Sequence, residues 1–191
     1  MKNKMLAYKI IVPIIIVAIV GSLWVFKNYS HIENMNNFTS INTQPATART
    51  ENELTDDNPD FALHVTGELD IQKLKSYGLP ILIDFGADTC IPCKEMAPVL
   101  KELNETMRGK VIIKFVDVWK YQKLAEGYPV SVIPTQVLFD KKGQPFKPKN
   151  LEVMKMELFN DKNSGLHAFT AHKGGMTKAQ ILAALKEMGV E

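Results

Sequence analysis

The sequence predicts an α/β fold in which helices flank a mixed central β-sheet. Three short apolar runs, at 80–85, 111–117 and 135–139, are typical of buried strands. A helical pattern of apolar residues separates the first two runs, and this alternation predicts βαβ units and a partly parallel sheet. A further strand at 166–172 follows a turn, so we expect the last part of the sheet to be antiparallel.

The N-terminal segment predicts a membrane anchor at 1–27. An unbroken apolar run extends from Ile10 to Phe26 and follows three lysines. As a helix it spans roughly 26 Å, which is enough to cross the hydrocarbon core of a bilayer. A cleaved signal peptide is the alternative, but its apolar region is usually shorter and no small-residue cleavage motif stands out here. Basic residues before the run favour a cytoplasmic N-terminus and export of the residues that follow, which places them on the extracytoplasmic side.

A change of composition separates the anchor from the globular part. Residues 28–58 are rich in Asn, Thr, Ser and Gln and contain few large apolar side chains. Such a segment buries too little surface to fold by itself. We therefore predict a flexible tether with a reach of roughly 30 Å, which joins the membrane to a domain at 59–191.

The helices of that domain follow from apolar spacing and from start and stop signals. We predict helices over 68–77, from the cysteine pair to Met107, and over 119–126. A capping box of Thr177 and Gln180 begins the last helix, whose predicted buried face carries Ile181, Leu182, Leu185 and Met188. The least regular part is an insertion at 144–165, where alternating residues around 154–158 suggest an edge strand that precedes a turn at 160–165.

Composition excludes several classes of function. The net charge of +2 and the lack of a dense basic patch argue against nucleic acid as a partner. Two cysteines are too few for a disulfide-rich secreted scaffold. The four histidines follow no ligand spacing with the cysteines, so we interpret them as surface or strand residues and expect no metal and no other cofactor.

The chemistry is carried by the two cysteines of the chain, Cys90 and Cys93, which flank Ile91 and Pro92. A disulfide between them closes a loop too small to restrict the unfolded chain much, so it is a poor structural crosslink. They are also only half of a structural zinc site, which takes four ligands. Reversible cycling between a dithiol and a disulfide is the interpretation that remains.

Three motifs together resemble the thioredoxin family. They are the run PILIDF, which contains Asp84, the segment CIPCKEMAP, which contains both cysteines, and VIPT, which contains Pro134. The resemblance covers about residues 65–190 and implies a thioredoxin-like fold. Three motifs in the family's order are far more specific than one CxxC sequence.

The resemblance gives these residues roles in thiol exchange. Cys90 would be the attacking sulfur, because a helix start favours its thiolate form. Cys93, one turn further along and more buried, would resolve the mixed disulfide. Asp84 would accept the proton of Cys93, with a pKa that burial raises toward neutrality. Lys114 matches a position where family members often carry a lysine that tunes this acid.

The resemblance also implies a substrate-binding surface around Pro134, which matches the family's cis-proline. The backbone of Ile133 would pair with an extended substrate segment, as in strand addition, beside Ile91 and Pro92. Three features depart from the family: Thr89 stands where an aromatic residue is usual, Gly86 replaces a tryptophan, and the dipeptide between the cysteines is Ile-Pro rather than Gly-Pro. These residues surround the reactive sulfur, so redox potential and partner choice do not follow from the resemblance.

The sequence therefore predicts a membrane-tethered thiol–disulfide oxidoreductase. We expect it to reduce disulfides of extracytoplasmic proteins, with apocytochromes as candidate substrates and an integral-membrane thiol carrier as the electron donor. A disulfide oxidase or isomerase is the alternative enzyme. A non-catalytic docking module is the alternative of another class, but a retired site has no need of intact Cys90, Cys93, Asp84 and Pro134.

Overall fold

The computed structural model describes residues 58–191. The predicted anchor at 1–27 and nearly all of the predicted tether at 28–58 lie outside the described residues. Within the described part, no helix is both long and apolar enough to cross a bilayer. Its strands are β1 (Ile81–Gly86), β2 (Ile112–Asp117), β3 (Thr135–Phe139), β4 (Met156–Asn160) and β5 (His167–Lys173). Its α-helices are α1 (Ile71–Ser76), α2 (Ile91–Thr106), α3 (Leu151–Met154) and α4 (Lys178–Glu187).

The five described strands form one mixed sheet in the order β2-β1-β3-β5-β4. β1 and β2 are parallel, and the helix α2 connects them. The pairs β1–β3, β3–β5 and β4–β5 are all antiparallel. This topology confirms the predicted α/β class and its mixed sheet, and it makes β1 a central strand with a neighbour on each side.

Both faces of β1, β2 and β3 are buried, which explains why these strands are continuous apolar runs in the sequence. On one face, Leu82, Ile113 and Leu138 pack with side chains of α2 and α4, including Leu100 and Leu185. On the other face, a second apolar cluster forms around alternate residues of the same strands, and Leu74 of α1 belongs to it. Asp84 therefore shares a face with Leu82, two residues earlier, and this is the face that α2 covers.

The insertion at 144–165 builds the outer part of the sheet. It contains α3, the edge strand β4 and a turn in which the Asp161 carboxylate accepts hydrogen bonds from the backbone of Asn163 and Ser164. The predicted edge strand and turn are confirmed, although β4 begins at Met156 and the short α3 precedes it. Lys155 joins the two in a left-handed conformation, with φ of 52°.

Three helical predictions differ in detail. The first helix begins three residues later than predicted, because the Asp70 side chain caps it by accepting the N–H of Lys73 at 3.0 Å. The segment predicted as a helix over 119–126 contains a single 3₁₀ turn, Gln122–Ala125. On α4 the capping box is confirmed, but Leu182 is exposed and Ala184 occupies the buried face instead.

Candidate active site

The two cysteines lie at the start of α2, a few residues after the end of β1. Cys90 is the N-cap residue of α2, with extended backbone dihedrals, and its side chain makes no capping hydrogen bond. Pro92 lies in the first turn, where its missing N–H breaks no helical hydrogen bond. The predicted placement of the pair at a helix start is therefore confirmed. An N-terminus of this kind offers unpaired N–H groups and a partial positive charge to a nearby anion.

The two thiols differ in exposure and are both reduced. Cys93 is 2% exposed and Cys90 is 8% exposed, so the second cysteine is the more buried one, as predicted. Burial, followed by a hydrogen bond with Cys90, raises the pKa of Cys93 to about 12. Cys93 is thus a protonated thiol at neutral pH and needs a base before it can attack a disulfide.

Asp84 is a carboxyl group inside the core, and its side chain is 0% exposed. Burial raises its pKa to about 7, while a hydrogen bond from Gln136 opposes this shift. Its Oδ1 accepts that bond at 2.7 Å, and its Oδ2 has no hydrogen-bond partner within residues 58–191. The negative charge of Asp84 contributes to the raised pKa of Cys93, so the two groups interact electrostatically. A base with a pKa near neutrality therefore lies within electrostatic reach of the thiol that needs one.

The structure places Lys114 away from this acid, which contradicts the predicted tuning role. Lys114 pairs with Ile83 across the parallel strands, so its side chain lies on the opposite face of the sheet from Asp84. Its ammonium donates to the carbonyls of Pro59 and Ala62 at 3.1 and 2.7 Å. The residue that pairs with Asp84 on β2 is Phe115.

The presence of glycine at position 86 has a steric cause that the sequence did not reveal. A Cβ atom at this position would lie 2.9 Å from the Phe115 ring and 3.1 Å from the Cys93 sulfur. Phe115 and Cys93 thus occupy the space that a side chain at 86 would need. Cys93 and Phe115 also line a mainly apolar cavity of about 430 Å³, together with Pro98 and Leu100 of α2. The glycine lets the second cysteine pack directly against the end of β1.

The proline loop lies next to the cysteines. The Ile133–Pro134 bond is cis, as the resemblance implied. The Cys90 thiol points at the carbonyl of Ile133, with a sulfur–oxygen distance of 4.0 Å. The neighbouring carbonyls of Val132 and Pro134 accept hydrogen bonds from Thr135 Oγ1 and the Gly174 N–H. The backbone of Ile133 therefore faces the reactive sulfur.

The surface around this loop is open and combines apolar with polar side chains. Ile91 is 72% exposed, and Pro92 and Thr89 are exposed as well. Trp119, which was not among the predicted site residues, is 65% exposed and lines a groove of about 720 Å³ together with Val132 and Ile133. An aromatic residue just after a buried strand, in a polar segment, was the signal that could have found it.

Asp117, at the end of β2, was also missed. Its Oδ1 accepts the N–H groups of Trp119 and Lys120, and its Oδ2 accepts the N–H of Asp88 at 3.1 Å. These bonds join the Trp119 loop to the turn that precedes Cys90. Asp88 is also bonded to the ammonium of Lys120. These hydrogen bonds thereby fix the position of the exposed groove relative to the turn before Cys90.

Two further buried residues, Gln136 and His172, complete the surroundings of Asp84. Gln136 is 0% exposed and His172 is 4% exposed. The His172 ring nitrogen Nδ1 lies 3.1 Å from the side-chain oxygen of Gln136. The interpretation of His172 as a strand residue is confirmed, since it lies in β5, but its contact with Gln136 is not evident from the sequence. The signal that was available is a glutamine inside an otherwise apolar strand, directly after the VIPT proline and threonine.

Comparison with known proteins agrees with this geometry. The sequence profile of the thioredoxin family matches residues 62–163. A chloroplastic thioredoxin of Arabidopsis thaliana is 39% identical over 66 residues, which cover 35% of this chain and 38% of that protein. A thioredoxin of Mycobacterium bovis is 35% identical over 94 residues, which cover 49% of this chain and 80% of that protein. The matched part spans less than two thirds of the length of the first of these relatives.

Among solved structures, a mutant thioredoxin from Halobacterium salinarum superposes with a TM-score of 0.46 and 27% identity, covering 70% of this chain and 94% of that one. The profile match covers more than half of the chain and contains β1, both cysteines and the cis-proline. Thioredoxin homologues are thiol–disulfide oxidoreductases. The chain belongs to the thioredoxin family.

Proposed function

We propose that this chain is a thiol–disulfide oxidoreductase that reduces protein disulfides through Cys90 and Cys93. The observation that carries the proposal is a buried Asp84 on the face of β1 against which Cys93 packs, two residues before Gly86, together with the raised pKa of that thiol. A pair of incidental cysteines would not require such a base.

The proposed reaction transfers two electrons and balances within the site. The Cys90 thiolate attacks one sulfur of a substrate disulfide, and the other substrate sulfur leaves as a thiolate. Cys93 then loses its proton to Asp84 Oδ2 and attacks the Cys90 sulfur. This attack breaks the mixed disulfide, releases the second substrate thiol and leaves a Cys90–Cys93 disulfide. Another dithiol must then reduce the chain for the next cycle.

The groove beside the cis-proline supports an extended protein segment as the substrate. Its lining combines the exposed Trp119 and Val132 with the backbone of Ile133. Aromatic and aliphatic anchors around an accessible backbone suit recognition by strand addition. Within the same proposal, Ile91 and Pro92 contact the substrate on the opposite side of the reactive sulfur.

We further propose that the domain acts outside the cytoplasm, tethered to the cell membrane by residues 1–27. The apolar run at 10–26 and the lysines before it support this location. A reductant outside the cytosol requires an electron supply, so an integral-membrane thiol carrier is the proposed donor, and apocytochromes are proposed substrates. The bulky Ile133 before the proline supports the reducing direction.

Trapping tests the exchange chemistry. In the Cys93→Ser variant, the mixed disulfide on Cys90 has no second thiol to resolve it, so substrate proteins should remain covalently attached and be identifiable by mass spectrometry. The Cys90→Ser variant is the matched control and should capture nothing, while its exchange with a model disulfide falls to the uncatalysed rate. Full biological activity of Cys90→Ser would instead support the docking module.

Redox equilibrium tests the direction. The 191-residue chain, in mild detergent, is equilibrated with defined thiol–disulfide buffers, and the fraction of oxidised Cys90–Cys93 is measured. A strongly negative potential supports a reductase, and a potential near the oxidising extreme supports an oxidase or isomerase. The measurement is sensitive, since about 30 mV changes the two-electron equilibrium tenfold.

Labelling of intact cells tests the location. A thiol reagent that cannot cross membranes should label Cys90 from outside, after mild reduction, and the labelled protein should sediment with the membrane. A variant without residues 1–27 should be absent from that fraction. Labelling only after lysis would reject an extracytoplasmic domain.

A further inference from the structure

A row of three polar side chains crosses the centre of the sheet. Asp84 on β1 pairs directly with Gln136 on β3, and Gln136 pairs directly with His172 on β5. All three are buried in a sheet whose other central residues are mostly apolar. The reaction proposed above uses only Asp84, so the other two residues require their own explanation.

The hydrogen bonds fix the orientation of the Gln136 amide. Its Nε2 donates to Asp84 Oδ1 at 2.7 Å and contacts the Met96 sulfur at 3.5 Å, and both of these atoms are acceptors. Its Oε1 faces His172 Nδ1 at 3.1 Å. A flipped amide would turn its oxygen toward the Asp84 carboxylate and its NH₂ group toward the imidazole. The observed orientation therefore satisfies each neighbour.

His172 determines that orientation from the far side. The amide oxygen only accepts hydrogen bonds, so Nδ1 of His172 must carry a hydrogen and donate it. Burial lowers the pKa of His172, and the charge of Lys155 acts in the same direction, so the ring is neutral at pH 7 and has one N–H. A backbone hydrogen bond with Gly174 opposes the shift. Across the edge of the sheet, His172 pairs with the uncharged Met156.

We propose that Gln136 is a positioning residue for the proton transfer from Cys93, and that His172 holds it in its working orientation. The amide donor occupies Asp84 Oδ1 and stabilises the ionised carboxylate. Oδ2 is thereby left as the oxygen that receives the proton. This inference rests on the proposed function, because it assigns a role within the same thiol–disulfide cycle.

Few other groups can produce the same effect at Asp84. From α2, the titratable neighbour is the Cys93 thiol, whose negative charge would disfavour the carboxylate. From β2, the pairing residue is Phe115, and Lys114 lies on the other face. From β3 and β5, the groups that face Asp84 are Gln136 and, behind it, His172. Gln136 is thus the hydrogen-bond donor that the described residues offer to this acid.

The test is a titration of Asp84 itself, observed by carboxyl ¹³C NMR in the reduced 191-residue chain, with Asp84→Asn identifying the signal. Gln136→Met keeps the length of the side chain but removes the donor. Its Asp84 midpoint should move upward by about one pH unit, because the lost bond stabilised the anion. The pH profile of mixed-disulfide resolution, followed with a disulfide-linked model peptide, should move upward with it.

A pair of substitutions at His172 tests the second half of the proposal. His172→Asn can donate from a position close to that of Nδ1 and should keep the wild-type midpoint. His172→Leu removes the donor and should shift the midpoint in the direction of Gln136→Met. An unchanged midpoint in Gln136→Met, or equal midpoints in the two His172 variants, would overturn the corresponding assignment.

Different results reject the proposed function and the positioning role of Gln136. The titration of Asp84 is measured without any substrate, so it reports on Gln136 even if the chain exchanges no disulfides. Absent exchange in the wild type would reject the proposed function, whereas normal exchange with an unshifted profile in Gln136→Met would reject only the positioning role. If Gln136→Met does not fold, the two His172 variants still decide the matter.

Discussion

Two buried ionisable side chains lie on neighbouring strands of this sheet, and they differ in the face they occupy and in their hydrogen-bond partners. Asp84 on β1 is 0% exposed, and Lys114 on β2 is 4% exposed. Lys114 pairs with Ile83, the residue before Asp84. Because side chains alternate between the faces of a strand, this offset of one residue puts the two charges on opposite faces.

Their partners explain the difference between them. Lys114 has two backbone carbonyls as acceptors, and the negative charge of Asp60 opposes the effect of burial on its pKa. Asp84 has one donor, Gln136, and an Oδ2 without a partner in the described chain. Burial moves the pKa of each toward neutrality, to about 8 for Lys114 and about 7 for Asp84.

A perturbed pKa therefore does not by itself identify the reactive group. Structural interactions also shift pKa values. What distinguishes Asp84 is an unoccupied oxygen on the face that also holds a buried thiol. Lys114 instead ties the segment before β1 to β2, because both of its acceptor carbonyls belong to residues 59–62.

The largest expected effect separates the two residues by activity. Asp84→Asn removes the base for Cys93 and should slow the resolution of a mixed disulfide by about 10²-fold at neutral pH, since positioned bases typically contribute that much or more. Lys114→Met, which removes a charge of similar burial from the opposite face, should stay within about threefold of wild type. The measurement is the rate of release of a disulfide-linked model peptide in both variants. An equal loss of rate in the two variants would remove the distinction drawn above.

A second prediction concerns stability and its sign. The pKa of Asp84 rises from 3.8 to about 7 on folding, so its ionisation costs free energy in the folded state. The wild-type protein therefore becomes less stable as the pH rises from 3.8 through about 7, whereas the side chain in Asp84→Asn does not titrate. The unfolding free energy of Asp84→Asn should therefore rise relative to that of wild type over this range, by up to about 4 kcal/mol. Urea denaturation of both proteins at several pH values measures the difference, and a constant difference across the range would contradict it.

The comparison also shows what a single sequence can predict. The cysteines, the helix start at Cys90 and the proline before β3 lie in short contiguous motifs, so their placement was correct. Lys114 was expected near Asp84 from the resemblance alone, and the sequence did not reveal that it pairs with Ile83 rather than with Asp84. A shift of one residue in register exchanges the two faces of a strand.

Contacts between strands that are distant in the chain could not be predicted either, because strand pairing was unknown. Gln136 is 52 residues from Asp84 and 36 residues from His172 in the chain. Their contact depends on β3 lying between β1 and β5, which is an order that the local patterns do not specify. Each of these residues, considered alone, is an ordinary strand residue, and only the cross-strand pairing brings them to the acid.

The smallest expected effect concerns Lys114 and has the opposite pH dependence. Its pKa falls from 10.5 to about 8 on folding, so the unfolded chain binds a proton that the folded chain has released between these values. Stability due to this residue therefore rises with pH in that window. The unfolding free energy of wild type should rise relative to that of Lys114→Met by about 3 kcal/mol between its folded and ordinary pKa values. Urea denaturation across the window checks this. A difference that stays constant across the window would mean that Lys114 keeps its ordinary pKa and that the two carbonyls fully compensate its burial.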